Sequence, residues 1–292
     1  MNADELKKLM KRIEKNSREL NFCPIEIRQD KSIVLEVVKK SGNALEYSAE
    51  SLKKDREIVL AAVQNYGRAL EYADESFKKD REIVLAAVQN NGGAMEYADE
   101  SFKKDRDFVL EAVQKNGLAL EYVDESFKKD RDIVLAAVQS YGDVLKYVDE
   151  SFRKDREIVL AAVQSYGFAL LCADESYRKD REVMLAAIKN SHRTFGYADM
   201  SLKDDRNFVL AAMQENGLAL EFVNKTFIKD REIVLAAISS SEQALEFADS
   251  SLRYDRDFVL EAVQKNGLAL KYADKSFKKD KEIVSTAKKN AK

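Results

Sequence analysis

Hydrophobic and polar positions recur along this chain with a period of 25 residues. Residues 55–79 and 80–104 differ at only three positions, and ten consecutive copies fill residues 30–279 without an insertion. A fixed period of this length is typical of solenoids, in which each repeat buries its apolar face only against its neighbours. The period therefore predicts a repeat architecture before any single residue is considered.

Each copy predicts two helices when its positions are counted from the first Asp. Asp at position 1 is a good N-cap, and positions 4, 5, 6, 8 and 9 are apolar, so the first helix needs neighbours on most sides. We expect Gly at position 13 to end this helix in the left-handed conformation. Apolar positions 15, 16, 18 and 19 predict a shorter second helix, and Asp at 20 with Ser at 22 predicts a further capped turn.

This pattern predicts an all-α fold, an α-solenoid in which 25-residue two-helix repeats form a superhelical array with polar terminal caps. Helices that pack about 8–10 Å apart would make ten repeats a curved rod on the order of 100 Å long. We expect an N-terminal capping helix and half repeat in 1–29, ten repeats in 30–279, and a C-terminal capping helix in 280–292. Polar Ser285 and Lys288 replace apolar residues at the far end, as terminal repeats require, so we expect a complete array.

The repeated phrase reads DREIVLAAVQNNG, one variable residue, and then ALEYADESFKKD. It resembles the tandem helical repeat family DUF4116, a domain of unknown function, over about residues 13–290. The resemblance implies an α-helical repeat protein of a kind common in bacteria that live with eukaryotic hosts. It also implies a secreted or host-directed interaction module, and it implies no catalytic residues.

Composition narrows the classes of partner. The net charge is −3 with 35% charged residues, which argues against non-specific binding to nucleic acid or anionic membranes. Apolar runs reach only six residues, far short of the roughly 20 that a membrane span needs. Without a visible signal peptide we expect a cytoplasmic protein, or one secreted into a host cell without a classical signal. Cys23 and Cys172 lie 149 residues apart, so we expect two buried thiols and no bridge.

The sequence contains few residues that could form a catalytic, cofactor or metal site. The chain has one histidine, no Cys-x-x-Cys pair and no Gly-rich phosphate loop, so we predict no catalytic, cofactor or metal site and no enzymatic activity. Lysine pairs at positions 24 and 25 are interleaved with carboxylates, which favours exposed ion pairs over a ridge that tracks phosphates. Tyrosines at position 18 stand among apolar positions, which favours core packing over base stacking.

Positions at which the repeats disagree are the best candidates for partner binding. Positions 12 and 14 flank the turn between the two helices, and residues 168–200 depart most from the pattern. The competing interpretations are that side chains at positions 12 and 14 only pack the turn against the adjacent repeat, and that residues 168–200 have drifted without a role in binding. His192 is interpreted as a turn residue that tolerates positive φ, and only remotely as a pH sensor. The candidate partner-binding residues are Tyr66, Leu118, Tyr141, Tyr166, Phe168, Leu171, His192, Phe195, Met200, Leu218 and Leu268.

These observations favour a monomeric, non-enzymatic scaffold that binds another protein, either as an adaptor or as a host-directed, effector-like interaction module. The alternative is an inhibitor or immunity protein that occludes an enzyme, including one that processes nucleic acid. An acidic row at position 17 supports this alternative, and direct nucleic-acid binding is a third hypothesis. The row consists of Glu46, Glu71, Glu96, Glu121, Glu221 and Glu246.

Overall fold

The computed structural model describes the backbone of residues 3–291 and, within that range, the side chains of all residues except 3–6 and 14. This part of the chain contains helices and no strand. It divides between Phe152 and Arg153 into two compact units, each built from the same 25-residue repeat. The protein is an all-α repeat solenoid, as the sequence predicts.

The first helix of each repeat is an α-helix of ten residues. Its N-cap is the Asp at position 1: Asp55, for example, accepts hydrogen bonds from the N–H groups of Glu57 and Ile58 at 3.0 and 3.3 Å. The predicted cap is therefore confirmed. The first helices span Lys31–Lys40, Arg56–Asn65, Arg81–Asn90, Arg106–Lys115, Arg131–Ser140, Arg156–Ser165, Arg181–Asn190, Arg206–Glu215, Arg231–Ser240, Arg256–Lys265 and Lys281–Asn290.

The second element of the repeat is almost always a 3₁₀-helix of six residues, a distinction that hydrophobic periodicity does not make. In the repeat 230–254 a short α-helix, Ala244–Phe247, takes its place. The 3₁₀-helices at this position span Ser17–Phe22, Gly42–Tyr47, Gly67–Tyr72, Gly92–Tyr97, Gly117–Tyr122, Gly142–Tyr147, Gly167–Cys172, His192–Tyr197, Gly217–Phe222 and Gly267–Tyr272.

A third short helical segment closes most repeats, and Asp at position 20 caps it: the Ser76 N–H donates to the Asp74 carboxylate at 3.1 Å. Some of these segments are α-helical and others are 3₁₀-helical. They span Ile25–Arg28, Glu75–Lys78, Glu100–Lys103, Glu125–Lys129, Glu150–Lys154, Glu175–Lys179, Met200–Lys203, Phe227–Lys229, Ser250–Arg253 and Lys275–Lys279.

The glycine at position 13 has a different role from the predicted one. No described residue, glycine included, has a positive φ, and Tyr66 with φ −141° is the C-cap of its helix. Gly67 is instead required by close approach, because a Cβ atom there would lie 2.3 Å from the carbonyl oxygen of Ala87 in the next repeat. The prediction of a left-handed helix stop at position 13 is wrong, and His192, interpreted as a turn residue that tolerates positive φ, does not have a positive φ either.

Adjacent repeats are also joined by hydrogen bonds across the same contact. The Gly67 N–H donates to Oδ1 of Asn90 at 2.7 Å, and Nδ2 of Asn90 donates to the carbonyl of Gln64 at 2.9 Å. A backbone bond of 3.0 Å from the Asp99 N–H to the Lys78 carbonyl repeats this link near the third segment. One asparagine thus satisfies a donor and an acceptor of the preceding repeat, which fixes how far apart the repeats stand.

The core runs through both elements of each repeat. Side chains at positions 4, 5, 8, 9, 15 and 16 are buried in most repeats, and in the repeat 80–104 these are Ile83, Val84, Ala87, Val88, Ala94 and Met95. On the last helix Ile283 and Ala287 are buried, whereas Ser285 and Lys288 are exposed. In the N-terminal segment the helix Ala3–Lys15 buries Met10 and Ile13, and Phe22 remains 75% exposed.

Candidate partner-binding groove

Exposed apolar side chains are concentrated in one part of the second compact unit. Ten large hydrophobic residues of the described chain are exposed, and four of them fall within residues 166–200, about an eighth of the sequence. These four are Tyr166, Leu171, Tyr197 and Met200, with exposed fractions of 38%, 43%, 42% and 57%. A cluster of this kind on a protein surface is typical of a binding site.

Of these four residues Tyr197 lines an open groove of about 510 Å³ formed by the 3₁₀-helices of three consecutive repeats, and Tyr166 contacts Phe168 in the groove wall. Phe168 comes from the first repeat, the second contributes the middle of the groove, and Glu221 and Phe222 come from the third. The residues that the second repeat contributes are Arg193, Gly196 and Tyr197. The groove therefore depends on three repeats being in register.

Aromatic rings form the walls of this groove. The rings of Tyr166 and Phe168 lie 5.9 Å apart, and the ring of Phe168 meets that of Tyr197 edge-on at 6.3 Å. The His192 ring lies 6.0 Å from that of Phe222. These separations fall in the range at which aromatic pairs attract each other, so the walls are partly preorganised.

Two substitutions at position 17 distinguish the repeats of the groove from most others. Position 17 is Glu in six of the ten repeats, but it is Leu171 in one repeat of the groove and Gly196 in the next. A Cβ atom on Gly196 would meet only Cδ1 of Phe222, at 3.9 Å, so the site has room for a side chain that the sequence omits. Loss of this side chain leaves an apolar floor where most repeats present a carboxylate.

A third substitution changes the local charge. In several repeats the lysine at position 24 pairs with the glutamate at position 21, as Lys78 does with Glu75 at 2.7 Å. In the repeat 180–204 Met200 stands at position 21, and Nζ of Lys203 keeps a bond of 2.6 Å to the carbonyl oxygen of Gly196, like the bond from Lys103 to the Glu96 carbonyl at 2.8 Å. Among the described residues Lys203 has no carboxylate within ion-pair distance.

Arg193 differs in the same way from its counterpart Arg68. Arg68 lies over the ring of Tyr97, hydrogen-bonds its hydroxyl and pairs with Glu96 at 3.0 Å. At the equivalent places Arg193 faces Glu221 and Phe222, and Phe222 has no hydroxyl to hold a guanidinium. Within the described part of the chain Arg193 makes no ion pair, and its side chain is exposed.

The remaining candidate residues do not all belong to this surface. Phe195 does not, because it is fully buried and stacks on Phe208 with 6.2 Å between ring centroids. It fills the core position that Leu or Met occupies in most repeats. His192 is half-buried against the groove wall. Of the others, Tyr66, Tyr141 and Leu268 are exposed, and Leu118 and Leu218 are half-buried.

Sequence reasoning missed Tyr197, Phe222 and Arg193 as groove residues. Tyr197 and Phe222 hold position 18, which the apolar pattern assigns to the core, and most tyrosines there are half-buried. Tyr197 is exposed, next to the vacant side-chain position of Gly196. A comparison of two repeats could have found these residues. Arg68 is followed, 28 and 29 positions later, by Glu96 and Tyr97, whereas Arg193 is followed at the same spacing by Glu221 and Phe222.

Charged residues elsewhere on the described chain form the expected ladder of exposed ion pairs. Arg106 contacts Asp130 at 2.7 Å and Asp132 at 2.9 Å in the next repeat, and Arg156 does the same with Asp180 and Glu182 at 3.0 and 2.6 Å. Each exposed ion pair of this kind contributes little to the stability of the fold. The acidic row at position 17 is interrupted by Lys146, Leu171, Gly196 and Lys271.

A larger groove of about 630 Å³ lies between neighbouring first helices, with Leu210, Arg231 and Leu235 in its wall. A similar depression of about 390 Å³ contains Leu160 and Leu185. These leucines all hold position 6, so the depression follows from packing any two first helices side by side. It is a property of the repeat and does not single out one place on the chain.

Nothing in the described residues groups three His, Cys, Asp or Glu side chains in a way that could hold a metal ion. Cys23 and Cys172 form no disulfide; Cys23 is buried, and Cys172 is half-buried and not buried as predicted. Burial raises the pKa of Cys23. None of the helices described is long and apolar enough to cross a membrane.

The family relationship follows from the repeat itself. The model of the DUF4116 family, a domain of unknown function, matches ten overlapping segments that begin at residue 9 and end at residue 292. The segments are 9–53, 55–103, 80–128, 105–153, 130–178, 155–203, 180–229, 205–253, 230–277 and 255–292. No curated protein and no solved structure matches the chain significantly. The chain belongs to the DUF4116 family of tandem helical repeats.

Proposed function

We propose that this protein is a non-enzymatic scaffold that binds another protein through the groove between residues 166 and 222. The observation that carries the proposal is the coincidence of three features in one place. Exposed aromatic side chains, a groove open to solvent and the sharpest departure from the repeat pattern all lie in the repeats 155–179, 180–204 and 205–229. A surface that recognises one partner has to break the repeat symmetry, because identical repeats offer identical contacts.

The side chains of the groove suit a protein partner. Binding energy in protein interfaces is concentrated in a few aromatic and arginine side chains, and the groove combines Phe168, Tyr197 and Phe222 with Arg193. Cys23 and Cys172 form no disulfide, which fits work in a reducing compartment such as the cytoplasm of the producing cell or of a host. The inhibitor hypothesis gains no support from position 17, because the acidic row is broken at the groove itself.

The test compares capture of partners by the wild-type chain and by a variant in which Tyr166, Phe168 and Leu171 are changed to alanine. Each protein is immobilised and exposed to lysate of the producing cells and of host cells, and captured proteins are quantified by mass spectrometry. Loss of even one hot-spot side chain costs ~2 kcal/mol, so we expect capture of the partner to fall more than tenfold.

Tyr66→Ala with Tyr141→Ala provides a matched control, since both tyrosines are similarly exposed in the other compact unit. Far-UV circular dichroism should show unchanged helix content in both variants. Equal capture by the groove variant and the wild type, or equal loss in the control, would contradict the assignment of the groove as the binding site.

A further inference from the structure

We propose that the groove recognises a linear peptide segment in which a bulky apolar side chain stands next to one or more carboxylates. This inference rests on the proposed function and specifies the chemistry of the partner. It is carried by the juxtaposition of an aromatic groove with two cations, Arg193 and Lys203, that have no carboxylate partner among the described residues.

The two cations lack partners for a reason that can be read from the repeat. At position 21 the glutamate that pairs with the lysine at 24 is replaced by Met200, which leaves Lys203 without an ion pair among the described residues. Arg193 lacks the hydroxyl that binds Arg68, because Phe222 stands where Tyr97 stands for Arg68. Met200 and Gly196 each replace a glutamate in the repeat that forms the middle of the groove, whereas Asp204 replaces the lysine at position 25. The repeat 180–204 therefore has four cations and four carboxylates, so it lacks the net negative charge of the repeat 55–79, which has four cations and five carboxylates.

The geometry assigns complementary roles to the parts of the groove. The rings of Phe168, Tyr197 and Phe222 offer contact to an apolar side chain, and the vacant volume above Gly196 gives it room. The Arg193 guanidinium can then donate two hydrogen bonds to a carboxylate, as arginine does in many interfaces. Lys203 is held near Gly196 by its bond to that carbonyl, and its ammonium supplies a second positive charge at the groove.

Glu221 is the one carboxylate in the groove wall, and it limits where an acidic group can bind. Its negative charge opposes a bound carboxylate, so an acidic group of the peptide has to compete with Glu221 for the Arg193 guanidinium. A nucleic acid would meet this carboxylate and two isolated cations in place of a continuous basic stripe, which is why a peptide fits better than a phosphate backbone.

The test uses the full chain as bait for a phage-displayed library of random linear peptides. We expect enriched peptides to carry Asp or Glu within a few residues of Phe, Tyr, Trp or Leu. Enriched peptides are then synthesised and their affinities are measured by calorimetry at two salt concentrations. Affinity should fall as salt rises, because exposed charge pairs are screened.

Restoring the common repeat residues provides sharp variants. Gly196→Glu and Met200→Glu each introduce a side chain that most repeats carry at that position, so both proteins should fold, and each should weaken peptide binding about tenfold or more. Arg193→Gln should weaken binding about tenfold, whereas Glu221→Gln should strengthen it severalfold. Arg68→Gln and Lys78→Gln are the matched controls, because these cations already have partners, and both should leave affinity unchanged.

The outcomes separate this inference from the proposed function. Groove-dependent peptides without acidic residues, or an Arg193→Gln variant that binds as well as wild type, would overturn the acidic specificity and leave the scaffold function standing. Failure to enrich any peptide would also overturn it, while the lysate capture decides independently on protein binding. Binding of a single-stranded oligonucleotide that is lost in Arg193→Gln would overturn it in favour of a nucleic-acid partner.

Discussion

Substitution of Gly67 by alanine tests why a glycine recurs at position 13. The Cβ atom of the new alanine would lie 2.3 Å from the Ala87 carbonyl oxygen, whereas ordinary contact begins near 3.4 Å. The two repeats would therefore have to separate by about 1.1 Å at this point. A shift of this size also disrupts the 2.7 Å hydrogen bond from the Gly67 N–H to Asn90.

The expected cost follows from these two effects. Overpacking of a well-packed contact costs ~1–3 kcal/mol, and loss of a hydrogen bond adds about 0.5–1.5 kcal/mol. We expect Gly67→Ala to lower the free energy of unfolding by about 2–4 kcal/mol. With a urea dependence of about 3 kcal/mol per molar for a chain of this size, the unfolding midpoint should fall by on the order of 1 M.

Gly196→Ala is the matched control, because a Cβ atom there has no neighbour closer than 3.9 Å. Alanine is a better helix former than glycine, so this variant should be as stable as wild type or slightly more stable. Both proteins are unfolded in urea and followed by far-UV circular dichroism. Equal midpoints for Gly67→Ala and Gly196→Ala would refute close approach as the reason for the conserved spacing of glycine within this chain.

Two further predictions concern titratable residues of the repeats. Asp130 caps its helix and bonds Arg106, whose guanidinium holds the Asp130 pKa below its ordinary value. Asp130→Ala should therefore lower the free energy of unfolding, measured in urea, by ~1 kcal/mol, and Asp130→Asn should lower it less. The difference between wild type and Asp130→Asn should disappear as pH falls below about 4, because the Asp130 carboxylate becomes protonated. Burial and neighbouring glutamates raise the pKa of Tyr72 to about 12. The contribution of neutral Tyr72 to the stability of the fold is therefore present below pH 10 and is lost as pH rises through about 12. Ultraviolet titration that loses this late-titrating tyrosine in Tyr72→Phe supports the assignment, and an unchanged titration curve contradicts it.

Much of the fold could be predicted because the same pattern of capping and apolar residues occurs in ten successive repeats. The caps at Asp55 and Asp74 and the buried positions of each helix follow from residue type and spacing alone. The 3₁₀ geometry of Gly67–Tyr72 could not be predicted, because hydrophobic periodicity over six residues does not separate it from an α-helix.

The groove was predictable only in part, because it depends on contacts between repeats. The divergence of residues 168–200 from the repeat pattern indicated the right region of the chain. That region also includes Phe195, which replaces the usual Leu or Met in the core and does not face solvent. Arg193 resembles Arg68 in sequence, and only the loss of the Tyr97 hydroxyl at the equivalent Phe222 separates a paired arginine from an unpaired one. Exposure of a side chain is set by its neighbours 25 or more residues away.

Hydrogen–deuterium exchange with and without a captured partner shows whether the groove is the surface that binds it. We expect slower exchange in the 3₁₀-helices Gly167–Cys172, His192–Tyr197 and Gly217–Phe222 when the partner is bound, with no change in the first helices of the same repeats. Protection confined to the first helices, or the same protection in the Gly196→Glu variant, would contradict binding at the groove.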